Sequence, residues 1–137
     1  MSHAGKSAAA AFVVIGLVYG LYFTWALTLD HVSPNIFVHM LGAVLGLAIA
    51  LAAVEIAIAF WEIYRGGADV KDERDARNGA KSARNAYYVL VSMVWAAPFI
   101  VLAQPPVQLS ANALLAMLVI AEMAHFGSRA FYDLHGV

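Results

Sequence analysis

Four apolar runs, each long enough to cross a lipid bilayer, constrain this chain more than any other feature. A bilayer's hydrocarbon core is about 30 Å thick, and about 20 helical residues cross it. Residues 8–29, 35–64, 83–103 and 109–132 each reach that length. The runs are uninterrupted and lack the alternation of barrel strands, so they read as helices. The expected fold is all-α: an integral membrane four-helix bundle forming one domain over residues 1–137. Composition agrees, with 63% hydrophobic and 12% charged residues. A soluble domain runs nearer 45–50% apolar and about 25% charged, and one this small could not hide so much apolar surface. The second run is over-long, which predicts tilt or a cytoplasmic extension. Pro98 lies inside the third and predicts a kink or an unpaired carbonyl there. The first run exceeds a signal peptide's apolar stretch, and Thr28-Leu29-Asp30-His31 lacks a small-x-small cleavage pattern, so it reads as a retained span.

Charge sets the orientation. The connections at 30–34 and 104–110 are short and carry no Lys or Arg, whereas the middle one holds Arg65, Lys71, Arg74, Arg77, Lys81 and Arg84. With four spans, Lys6 and Arg129 fall on the same side, so all eight basic residues share one face. The positive-inside rule makes that face cytoplasmic. The expected location is the bacterial inner membrane, with both termini in the cytoplasm. Tyr22, Trp25, Trp61, Tyr64, Tyr87, Tyr88 and Tyr132 fall near span ends, where an aromatic belt is expected.

The middle connection, 65–84, reads as more than a loop. Gly66-Gly67 breaks the second helix, and Asp69 or Asp72 is placed to cap a new one. Asp72, Glu73, Arg74, Asp75, Arg77, Lys81 and Arg84 then mix both charge signs at helical spacing and run straight into the third span. One reading is a solvated helical extension held by i,i+4 charge pairs. The other is a docking surface for a partner or for lipid head groups, weakened toward anionic lipid by its acids.

The two halves resemble each other. Lys6-Ser7-Ala8-x-x-Ala11-Phe12-x-Val14 matches Lys81-Ser82-Ala83-x-x-Ala86-Tyr87-x-Val89, and Val54-Glu55-Ile56-Ala57 matches Ala121-Glu122-Met123-Ala124. A true duplication predicts two parallel-related helical hairpins about an axis along the membrane normal. Glu55 then corresponds to Glu122, and Glu62 to Arg129.

Charges inside the spans carry the functional question. Glu55 lies nine residues before Tyr64 and Glu122 nine before Phe131, roughly 13 Å from the inner ends at 1.5 Å per residue. A charge that deep costs at least ~2.5 kcal/mol and is expected to face the bundle interior. Glu122, His125 and Arg129 share one helix face, and Glu55 and Glu62 share another. If the faces meet, Glu62 pairs with Arg129, and Glu55 and Glu122 approach each other and His125. Three readings stand open. The carboxyls fix helix pairing; they relay protons or cations; or Glu122-x-x-His125 contributes to a metal site of the carboxylate-bridged kind. No cofactor is expected, although Glu55, Glu122 and His125 leave room for a bound metal or cation. His39 and His125 lie at opposite ends of their spans and cannot jointly ligate one haem. His3, His31 and His135 read as solvated.

Other classes recede. The net charge is −1, and no basic stripe suggests nucleic acid. The absence of Cys excludes disulfides, thiolate metal sites and thiol nucleophiles. No phosphate loop, Ser/His/Asp set or soluble catalytic domain is visible, which argues against an enzyme. Two G-x-x-x-G pairs, Gly16 with Gly20 and Gly42 with Gly46, offer close-contact faces for helix packing or a homo-oligomer. The expected partners are the bilayer, further copies of the chain, and a membrane or cytoplasmic protein.

Asp72-Glu-Arg-Asp75, followed by Ala80-Lys-Ser-Ala-Arg-Asn-Ala-Tyr-Tyr-Val-Leu90, resembles a family of small prokaryotic four-span membrane proteins grouped as a domain of unknown function. In that family an Asp-Glu-Arg-Asp segment leads through an Ala-rich stretch into an aromatic third span. Asn78 and Gly79 depart from the apolar and acidic residues the pattern implies. The resemblance implies the topology and no activity.

Overall fold

A computed structural model describes residues 2–28, 35–64, 73–103 and 105–136, and all regular structure among them is helical. The helices are α1 (His3–Thr28), α2 (Ile36–Tyr64), α3 (Glu73–Leu102) and α4 (Val107–His135). All four are long and apolar enough to cross a membrane. Gly66-Gly67, the caps expected at Asp69 and Asp72, and His31 lie outside the described residues.

Buried positions recur at spacings of three and four. On α1 they are Ala8, Ala11, Ile15, Tyr19 and Tyr22. On α2 the half-buried side is Met40, Ala43, Leu47, Ala50, Val54, Ile58 and Glu62, and on α3 Asn78, Ser82, Asn85, Val89, Met93, Ala97 and Ile100. That spacing gathers the buried residues of each helix on one face. The helices pack in the order α2–α1–α4–α3, with extended contacts only between neighbours in that order. The row is open: α2 leans on α1 and α3 on α4. A two-fold relation between hairpins would match the α1–α4 contact with one between α3 and α2, and that contact is not extended among the described residues.

Large apolar side chains turn outward, among them Leu21, Ile49, Phe60, Trp95, Phe99 and Leu102. The interior holds aromatic, small and polar groups. Ile15, Tyr19, Tyr22, Leu115 and Val119 form the core, with Phe23, Met40, Leu47, Met123 and Phe126 packed around it. Tyr22 is only 7% exposed, so it is not a belt residue. Its hydroxyl donates to Asn112 Oδ1 at 2.7 Å and ties α1 to α4. Tyr132 is likewise drawn in, because Asn85 Nδ2 donates to its hydroxyl at 2.8 Å. Trp25, Trp61, Tyr64, Tyr87 and Tyr88 are exposed.

The extension into α3 forms, but another force holds it. No ion pair forms along α3 among the described residues. Exposed pairs of that kind are worth only ~0.2–0.5 kcal/mol. Instead Asn78 and Ser82 bury, at 2% and 0% exposure, and Lys81 Nζ sits 5.4 Å from the Tyr132 ring centroid of α4. Gly136 ends α4 at φ 74°, the left-handed cap that glycine adopts without strain. Arg74 stands against it, only 3.0 Å from where a Cβ on Gly136 would lie, and a cation at a helix C-terminus is favourable. Pro98 does not end α3, which runs on to Leu102.

Candidate functional site

The five charged or imidazole side chains singled out inside the spans occupy two separate places. Glu55 and Glu62 turn to the start of α1. Glu62 Oε1 accepts from Lys6 Nζ at 3.1 Å, and its Oε2 lies 3.1 Å from His3 Nδ1. The Ser7 hydroxyl donates to Glu55 Oε1. Both carboxyls thus sit beside the first two turns of α1, where free backbone N–H groups and the helix dipole favour negative charge.

Glu122, His125 and Arg129 lie on the other side of α1. A groove of about 430 Å³ between α3 and α4 is lined by Ala83, Ala86, Tyr87, Leu90, Ala121, Glu122, His125 and Phe126. Glu122 is exposed in it and His125 half-buried. The His125 ring stands edge-on to Phe126, with centroids 5.0 Å apart. Neither the Glu122 nor the His125 side chain makes a hydrogen bond or ion pair among the described residues. Arg129 lies one turn further in, its Cζ 3.9 Å from where a Cβ on Gly79 would stand.

The pairing of Glu62 with Arg129 therefore does not form. Helix α1 lies between α2 and α4 and supplies Lys6 to Glu62 itself. Glu55 and Glu122 also differ in depth. Glu55 bonds Ser7, whereas Met123 packs on Gly16, 3.6 Å from a Cβ built there. Nine residues of α1 separate the two contacts, roughly 13 Å of helix. Carboxyls that share a proton stand ~3 Å apart. Glu122 is mid-way along α4, while Glu55 stands beside the second turn of α1. Among the described residues no three His, Cys, Asp or Glu side chains converge as metal ligands would.

Of the charged segment leading into α3, Glu73, Arg74, Arg77 and Arg84 are exposed, Asp75 and Lys81 are half-buried, and Asp72 lies outside the described residues. The acids Glu73 and Asp75 fall in the first turn of α3, which its dipole favours.

Sequence reasoning missed the polar groups that join the helix ends. Asp133 accepts from the Ser2 backbone N–H and hydroxyl, each at 3.0 Å, so the last turn of α4 holds the start of α1. Asn78, Ser82 and Asn85 fall on one face of α3 at spacings of four and three, a pattern legible in the sequence. Ser82 donates to the Gly79 carbonyl at 2.9 Å, but both amide atoms of Asn78 are buried without a partner. A buried unpaired polar group costs ~1–3 kcal/mol. Asn78→Leu is accordingly expected to raise stability by about 1 kcal/mol in detergent-micelle thermal unfolding; a loss would show that Asn78 holds a bond in the native membrane form. Comparison with protein-family models, curated proteins and solved structures finds no match for this chain.

Proposed function

We propose that this chain is a small polytopic protein of the bacterial inner membrane with a structural or partner-binding role. Both ends lie in the cytoplasm, and two hairpins, α1–α2 and α3–α4, form its membrane bundle. Its resemblance to four-span proteins with an Asp-Glu-Arg-Asp segment belongs to the same reading. The outward apolar surface and the one-sided basic residues support the location.

One observation carries the role. Glu122 stands open in the α3–α4 groove, with no hydrogen bond or ion pair among the described residues, half-way along a helix long enough to span. In lipid that carboxyl costs ~2.5 kcal/mol or more. A partner that fills the groove and offers a donor removes the cost. The small walls Ala83, Ala86 and Ala121 let another helix come close. The test is a photocrosslinking residue at Ala86 in native membranes. Protein adducts are expected; capture of lipid alone overturns the reading.

The alternative is a proton- or cation-coupled channel or transporter component working through Glu55 and Glu122. Its support is the open acid and imidazole at mid-depth. It requires ion flux in proteoliposomes that Glu55→Gln with Glu122→Gln abolishes. The separation of the two carboxyls leads us to expect no flux from the parent protein.

A further inference from the structure

We infer that the groove between α3 and α4 is occupied by the same groove of a second copy, paired reciprocally through Glu122 of each chain and His125 of the other. This rests on the partner-binding reading above.

The argument is one of depth and charge. Whatever covers Glu122 has to present a cation or donor at the depth of that carboxyl. Towards the outer side of Glu122, the described parts of all four helices carry no Lys, Arg, Asp or Glu, and their only imidazole is His39 near the outer end of α2. The base nearest to Glu122 on α4 is His125, three residues away, or ~4.5 Å along the axis. A second copy inserted in the same orientation repeats every residue at its own depth. A two-fold axis along the membrane normal therefore sets His125 of one chain ~4.5 Å in depth from Glu122 of the other, twice, an offset that the two side chains bridge by reaching toward each other. Such a contact is isologous and closed. An acid and a base placed this way leave no net charge in the hydrocarbon, whereas an apolar partner would leave both groups unpaired.

Packing allows it. Ala83, Ala86 and Ala121 keep the groove walls low, and small residues let helices approach closely in lipid. Inside one chain the acid and imidazole do not bond to each other, so both remain available to the partner.

The chain has no Cys, so single-cysteine variants report cleanly. In native membranes Ala86→Cys is expected to give covalent dimers with a short bis-maleimide, while Ala48→Cys on the outer side of α2 is not. In detergent, Glu122→His alone and His125→Glu alone are each expected to lower the dimer association constant at least tenfold. The double swap E122H/H125E is expected to restore it to within about threefold, because it re-creates both pairs. Helix content and monodispersity accompany each measurement, and Glu122→Gln with His125→Gln gives the same loss of dimer without charge reversal. Dimers indifferent to every swap overturn the reciprocal pairing. Cross-links from Ala86→Cys to a different protein overturn the second copy and leave the partner-binding reading standing. No protein adduct at all overturns both.

Discussion

Gly127→Leu is expected to destabilise the protein by about 2 kcal/mol or more, while Gly46→Leu is expected to change stability by no more than about 0.5 kcal/mol. A Cβ on Gly127 would meet the Phe12 ring at 3.0 and 3.1 Å. The first carbon alone asks Phe12 to swing, and that ring is 38% exposed and has some room. Gly127→Ala is therefore the milder change. Leucine adds a branched end behind that carbon, on the face where α1 and α4 share their core, and overpacking of this kind costs ~1–3 kcal/mol. Gly46 has nothing within 4 Å of its Cβ position, and neither do Gly42 and Gly20. Thermal unfolding followed by circular dichroism, in detergent that keeps the chain monomeric, checks the contrast. Equal losses for Gly46→Leu and Gly127→Leu would mean that α2 packs through its glycines within the chain.

That contrast shows what local pattern could and could not convey. Apolar runs and one-sided basic residues were enough to count the helices and to extend the third inward from residue 83 to Glu73. Span length is a one-dimensional property, and the bilayer makes it decisive. Neighbour relations are not one-dimensional. G-x-x-x-G marks a surface on which a helix could come close, but Gly42 and Gly46 face no other helix, and the tight contact falls at Gly127, which belongs to no such pair. Tyr22 misled for a related reason. Its position near a span end suits the aromatic belt, yet Asn112 on α4 gives its hydroxyl a buried partner, and partners on other helices are invisible in sequence.

The site was legible in its residues and not in its grouping. Glu122, His125 and Arg129 do share one face, as the i, i+3, i+7 spacing requires. Joining them to Glu55 and Glu62 assumed that α2 faces α4. The order α2–α1–α4–α3 places α1 between them and pairs Glu62 with Lys6. In the sequence Lys6 stands out as a topological signal and as the opening of the repeat, not as a partner for Glu62. The repeat also favoured equal depth for Glu55 and Glu122, but sequence correspondence does not fix how far two helices slide along a third.

The second large effect is expected where the chain's two ends meet. Ser2 caps α1: its hydroxyl accepts from the Gly5 N–H at 3.1 Å, and its carbonyl accepts from Lys6 N at 3.1 Å. Asp133, in the last turn of α4, completes the arrangement by accepting both donors of Ser2. A carboxylate at that position also suits the dipole of α1. Only glycine at position 5 leaves room for it, since a Cβ there would overlap the Asp133 carboxyl. Gly5→Ala is therefore expected to cost about 2 kcal/mol, because charge-assisted hydrogen bonds of ~1.5–3 kcal/mol are lost together with the cap. Asp133→Ala removes the same bonds without a clash and is expected to cost about as much. The double change G5A/D133A keeps a Cβ at 133 that stands 2.8 Å from the new one at 5, so it should cost more than Asp133→Ala alone but clearly less than the two single losses together, a departure from the additivity seen for distant sites. Unfolding in detergent gives the three differences, and hydrogen exchange in the first turn of α1 reports the cap directly. Additive losses would mean that Gly5 and Asp133 act independently and that the last turn of α4 does not hold α1 in place.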